Sequence, residues 1–353
     1  MDRPFTVGLI VPTGVGATIG GYAGDALPVA RAIAQVADCL ITHPNVLNGA
    51  QLYWPLPNAL YVEGYALDQF AQGEWGLQPV HQNRITLVLD QGIEPDLRLR
   101  QLQAAEATRA TLGLTLTDYV VTDAPLGVCL KTAASGSTWG TLQNPDSLLR
   151  AVERAITQAK AEAIAVVARF PEEVGTAALQ AYRQGSGVDP LAGAEAVISH
   201  LVVRQFRIPC AHAPALASLP LDPTISPRSA AEELGYTFLP CVLVGLSHAP
   251  QLVMPSAAPK YQPSVWADQV DALVIPADAC GGSAVLSFSQ RATKIITVQE
   301  NTTALAVTPA SLGIAAIAVS SYLEAVGVLV ALRAGLNPLA LTSHIAGLAP
   351  IKA

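Results

Sequence analysis

Charge is what this sequence has least of. Asp, Glu, Lys and Arg together make 13% of its 353 residues, against about 25% in an average globular domain. Hydrophobic residues make 51%, and the mean hydropathy is +0.39. That balance excludes a disordered chain, which needs few apolar residues and much charge. With 20 basic residues against 27 acidic ones the net charge is −7, and no basic stripe occurs, which argues against nucleic acid as a partner. Cysteine is sparse too. There are five, with no CxxC pair, so the ligand spacing of a structural zinc site is missing. An odd number of scattered cysteines fits a reducing compartment better than a disulfide framework. Also missing are an H-E-x-x-H helix, a Walker Lys-Ser/Thr and a G-x-S-x-G elbow.

The charge deficit concentrates in four windows, residues 4–24, 39–62, 236–259 and 301–323, which contain no Asp, Glu, Lys or Arg. Each is long enough to cross a bilayer as one apolar helix. Glycine, proline and asparagine break all four, and the backbone groups they free have no partner in lipid. No span is therefore expected. The start Met1-Asp2-Arg3-Pro4 lacks the charged and apolar regions of a signal peptide. These features together predict a cytoplasmic protein.

What is present is an alternation of strand and helix. Short apolar runs at 5–11, 38–42, 85–89, 118–122, 163–168, 239–244, 272–275 and 294–298 predict strands buried on both faces. Longer periodic segments at 96–112, 144–161, 190–203, 226–234 and 313–332 predict helices. The alternation implies an α/β fold, Rossmann-like, with a largely parallel sheet covered on both faces. Two similar lobes are a further expectation, residues 1–143 with a glycine-rich loop and 144–353 with a Cys-Gly-Gly turn.

In such sheets ligands bind beyond the carboxyl ends of the strands, which turns the strand list into a site list. After the first strand come Thr13, Gly14, Gly16, Gly20 and Gly21, a turn whose N–H groups can approach a phosphate or carboxylate. Its spacing departs from the dinucleotide fingerprint, and the second strand ends in His43-Pro44-Asn45 rather than in an acid for a ribose. The 272–275 strand runs into Asp278, Cys280, Gly281, Gly282 and Ser283. A thiol beside a helix N-terminus is favoured as thiolate, so Cys280 is a candidate nucleophile or acid–base group. Cys129 follows another strand and pairs with Cys280 in a two-thiol isomerase or racemase reading. Asp90, Asp123, Asp278 and Glu300 follow strands and can converge on one sheet edge, with Asn301 beside them. Converging carboxylates bind a divalent cation or shift one another's pKa. His212 follows a Pro-Cys turn and is a candidate general acid–base group. A Pro-Cys then His-Ala-Pro-x-Leu pattern echoes between 208–216 and 239–252.

Several of these segments together resemble a conserved family known only as a domain of unknown function, common in cyanobacteria and also found in plastids. They are Pro12-Thr13-Gly14, His43-Pro44-Asn45, the run from Ala192 through Glu195 and Ser199 to His200, Cys210-Ala211-His212-Ala213-Pro214, Cys280-Gly281-Gly282 and Glu300-Asn301-Thr302-Thr303. The resemblance covers nearly the whole chain, assigns no catalytic roles and implies a cyanobacterial-type cytoplasmic protein. The functional expectation is a small-molecule enzyme that binds an anionic metabolite. Its alternatives are a non-catalytic metabolite binder or assembly protein, and a metal-assisted hydrolase or lyase. No motif requires a cofactor, a divalent metal stays open, and leftover apolar surface predicts a homo-oligomer.

Overall fold

The computed structural model describes residues 3–48, 54–233, 239–257, 263–343, 345, 347 and 348. Its larger sheet has six parallel strands. In sheet order they are β14 (Ala316–Val319), β13 (Lys294–Val298), β12 (Val270–Pro276), β1 (Thr6–Leu9), β2 (Cys39–Thr42) and β3 (Ala59–Tyr61). Taken by rank along the chain this is the order 3-2-1-4-5-6, the doubly wound arrangement with its switch point between β1 and β12. Thr6 stands opposite both Val270 of β12 and Cys39 of β2.

Between β3 and β12 the chain leaves this sheet and builds a second one. Its four parallel strands lie in the order β10 (Cys210–Ala215), β9 (Ala163–Arg169), β5 (Ile85–Leu89) and β6 (Val120–Val121). Two antiparallel pairs complete the strands: β4 (Gly76–Gln78) with β11 (Gln251–Val253), and the hairpin of β7 (Val128–Thr132) with β8 (Thr138–Leu142). The helices are α1 (Leu27–Ala34), α2 (Pro44–Leu47), α3 (Gly64–Gln72), α4 (Pro95–Leu112), α5 (Pro145–Gln158) and α6 (Ala177–Arg183). They continue as α7 (Ala192–Phe206), α8 (Pro227–Ala231), α9 (Leu239–Ser247), α10 (Ser283–Ser289) and α11 (Tyr322–Arg333). Both sheets draw strands from either side of residue 143, so the chain is not divided there into two sheets.

The central strands β5, β9 and β12 are buried on both faces, as their unbroken apolar sequences require. Alternate side chains feed two cores. Leu87, Leu89, Ala272 and Val274 enter one, and Val88, Leu273 and Ile275 the other.

Two elements differ from the sequence expectation. Residues 239–244 open helix α9 instead of a strand. Seven of its nine residues are buried, and a helix buried all round has no polar face to reveal its period. Asn83 holds the end of α9, its Nδ2 donating to the Leu246 and Ala249 carbonyls at 2.8 Å each. The Pro-Cys echo is therefore one of sequence only, since Cys210 opens a strand and Cys241 lies in a helix. The expected helix 313–332 divides into β14 and α11. The break is Ser321, whose side chain caps α11 by accepting the Glu324 N–H. Leu234, the expected end of the 226–234 helix, lies outside the described residues.

Helix α7 approaches the β7–β8 hairpin through Gly193. A Cβ there would stand 2.1 Å from the Thr138 carbonyl oxygen. Gly193→Ala should therefore destabilise the fold by about 1–3 kcal/mol, the usual cost of overpacking. Urea unfolding measures this, and an unchanged midpoint would refute the close contact.

Candidate active site

The carboxyl ends of β1, β2, β3 and β12 face those of β9 and β10 across a cavity of about 990 Å³. Helix α7 forms one wall. Glu195 and Ser199 lie four residues apart on it and so share one face. On β10 the alternation sends Ala211, Ala213 and Ala215 into a core and leaves His212 and Pro214 lining the cavity. From the end of β3 comes Glu63, which caps α3. Its Oε2 accepts the N–H groups of Tyr65 at 2.8 Å and Ala66 at 3.2 Å.

These groups form a connected line. Glu63 Oε1 is 2.5 Å from His200 Nδ1 and 3.4 Å from the Ser199 hydroxyl. The Ser199 oxygen is 3.2 Å from His212 Nδ1, and His212 Nε2 faces Glu195 Oε2 at 3.9 Å. The two histidines are driven in opposite directions. Burial disfavours charge on His200, but the adjacent Glu63 carboxylate, joined by Asp68, outweighs it and holds the ring above the usual histidine range. Burial pushes His212 down to about 4, helped by the charge on His200. A second group lines the cavity beside them. Burial raises the carboxyls of Asp189, Glu195 and Glu232, and the latter two are raised further by their acidic neighbours. Glu232 also accepts the Tyr182 hydroxyl at 2.6 Å, and Tyr182 stacks on Tyr22 at 4.4 Å.

The residues expected from sequence divide sharply. His212, Thr13, His43, Asn45 and Gly282 line the cavity. His43 is buried, and its Nε2 accepts the Val11 N–H at 3.0 Å. Asn45 donates to the Gly20 carbonyl at 2.7 Å. The glycine-rich turn is used by the chain itself. Gly14, at φ +70°, packs against Thr138 and Gly193, and its carbonyl accepts the Thr138 N–H at 2.8 Å. Gly16 packs against Val188, Gly20 against Val11, and Gly21 against the Ala17 carbonyl.

Cys280 is fully buried and does not line the cavity. Burial pushes its thiol up to about 11, with Asp278 adding to the rise, the reverse of the thiolate expected beside a helix N-terminus. Asp278 is engaged by Thr303, which donates its N–H at 2.8 Å and its hydroxyl at 3.0 Å. Gly281 is exposed beside Val307, and Ser283 accepts from Gln72 at 3.1 Å. Cys129, on β7, does not line the cavity either, so the two-thiol arrangement has no shared cleft here. Nor do the strand-end acids meet in it. Asp90 is buried and accepts the N–H groups of Gly92, Leu126 and Arg169. Asp123 pairs with Arg150 at 2.7 Å. Glu300 accepts the Tyr322 N–H at 2.9 Å. Asn301 is buried, accepts the Ile19 N–H and donates to the Ile19 carbonyl and the Tyr322 hydroxyl. Among the described residues no group of three or more His, Cys, Asp or Glu side chains is placed to hold a metal ion.

The sequence expectation passed over Glu63, Glu195, Ser199 and His200 as chemistry. A signal for three of them was present. In a chain this poor in charge, Glu195, Ser199 and His200 stand together on one short stretch of helix.

The architecture defines an α/β protein of the doubly wound class with an inserted parallel sheet and a cavity between the two. The chain belongs to the family described as "Protein of unknown function (DUF3326)", whose model matches residues 6–342. It is 61% identical over 342 residues to an uncharacterised lipoprotein of Synechococcus sp. (strain ATCC 27144 / PCC 6301 / SAUG 1402/1), with 97% of this chain and 94% of the relative covered. No solved structure matches it. The family and the cyanobacterial relative agree with the resemblance read from the sequence. The cytoplasmic location does not stand, because the relative is named a lipoprotein. Among the described residues no helix is long and apolar enough to cross a membrane.

The low pKa of His212 has a consequence for stability. In the unfolded chain the ring gains a proton near 6.5, and in the fold only near 4. Between these values the unfolded state binds more protons, so this group removes stability as pH falls from about 6.5 towards 4. His212→Gln should therefore show a shallower loss of urea midpoint across that window than the parent protein. An identical slope would show that the ring protonates freely in the fold.

Proposed function

We propose that the cavity is the active site of a small-molecule enzyme working by acid–base proton transfer. The neutral His212 ring is the base, and the His200 imidazolium, held by Glu63, is the acid. The observation that carries this reading is the opposite drive on two histidines that line one cavity. Titratable groups pushed apart by their surroundings divide the acid and base roles between them, and a cleft at strand carboxyl ends is where such groups act. His212 removes a proton from the substrate while His200 donates to the oxygen on which charge develops.

The lining bears on the substrate. It carries nine carboxyl groups against two arginines. Arg183 is already engaged by Glu233 at 2.8 Å. This balance favours a neutral or cationic polar molecule over the anion expected from sequence, and a carbonyl compound with an acidic C–H suits the two histidines.

Deuterium exchange tests the reading before the net reaction is known. The protein is incubated in D2O with neutral and amino-bearing carbonyl metabolites, and loss of the C–H signal is followed by proton NMR. At least one compound should exchange, and His212→Gln should slow that exchange by about 10²–10⁴-fold. Tight binding with no exchange would make the protein a binder and not an enzyme. Exchange that survives His212→Gln would place the base elsewhere.

A further inference from the structure

Ser199 sits between the two histidines and has one hydroxyl proton to give. Resting on the reading above, we infer that Ser199 is a positioning residue that fixes His212 as the Nδ1–H tautomer, leaving Nε2 as the basic atom. The argument is one of donor counting. The Ser199 oxygen has three polar neighbours: Glu63 Oε1 at 3.4 Å, the Ala196 carbonyl at 3.3 Å and His212 Nδ1 at 3.2 Å. The first two only accept, since a carboxylate and a carbonyl carry no proton. Glu63 receives donors on its other side as well, from the Tyr65 and Ala66 N–H groups.

If the Ser199 proton goes to either acceptor, the hydroxyl keeps a lone pair towards His212 and can accept from it, so two hydrogen bonds form. If it goes to His212 Nδ1, only one forms and the Ser199 lone pairs face two acceptors, which favours the first arrangement. Nδ1 must then be the donor, and the second ring nitrogen is unprotonated. That nitrogen is not consumed by the protein. Its near neighbour Glu195 Oε2 lies 3.9 Å away, beyond hydrogen-bond distance. The lone pair on Nε2 is therefore held ready beside the cavity. When the Ser199 proton goes to Glu63, the same hydroxyl links His212 to Glu63, whose Oε1 stands 2.5 Å from His200 Nδ1. Ser199 is itself buried in helix α7.

The tautomer is read directly from two-bond nitrogen–proton spectra of protein labelled with ¹⁵N-histidine near neutral pH. His43 serves as the internal standard, because its Nε2 accepts the Val11 N–H and its ring is fixed as Nδ1–H. In the parent protein His212 should show the same pattern as His43. Ser199→Ala should move His212 towards Nε2–H while His43 stays unchanged, and Ser199→Thr, which restores the hydroxyl, should return it. An Nε2–H pattern in the parent protein overturns the inference even if no variant folds. So does an Nδ1–H pattern that persists in Ser199→Ala. The spectra need no substrate, so this outcome is separate from that of the deuterium-exchange screen.

Discussion

The pairing of β1 with β12 is the constraint on which the rest depends. It places Thr6 opposite Val270 and Leu9 opposite Val274, bringing the chain back into the first sheet after the long segment that leaves it at β3. A segment anchored at both ends to neighbouring parts of one sheet must return to where it started. The second sheet it contains is therefore held against the first, and the cavity is the space enclosed between their carboxyl ends. The same pairing creates the switch point at which an open α/β sheet exposes its strand ends.

The chemistry of the cavity follows from poor solvation. The cavity gathers nine carboxyl groups against two arginines, so most of its acids lack a cationic partner. Burial then decides the state of the groups inside, lowering His212 and raising Glu195. His200 is the exception because Glu63 stands against it, and Glu63 is itself fixed by the first turn of α3. A capping carboxylate thus does two jobs. It satisfies helix N–H groups and favours the charged form of His200, opposite to the effect of burial on His212.

Much of the fold was legible in the sequence. The β5 and β13 bounds coincide with the apolar runs 85–89 and 294–298, because parallel strands covered on both faces need unbroken β-branched and aliphatic stretches. Helix α9 was not legible, since complete burial erases the helical period. The break before α11 was legible in principle from the Ser321-x-x-Glu324 spacing but was hidden by the apolar residues on both sides. The site was read in part. The rule that ligands gather beyond strand ends led to His43, Asn45 and His212. It also led to Cys280 and the glycine turn, where the chain fills the space with its own atoms. No rule of spacing joins Glu63 to His200 or Ser199 to His212, because these contacts exist only once two sheets and a helix meet.

The long excursion between β3 and β12 also orders events in time. A ribosome releases the inserted sheet, with β10 and its His212, well before β12. Domains fold as units during synthesis, and contacts distant in sequence close late. The wall that carries His212 is thus assembled while β1 still lacks one of its two neighbours. Until the last quarter of the chain emerges, β1 presents an unpaired apolar edge to its surroundings. The edge of β1 that β12 covers is thus open during most of the chain's own translation.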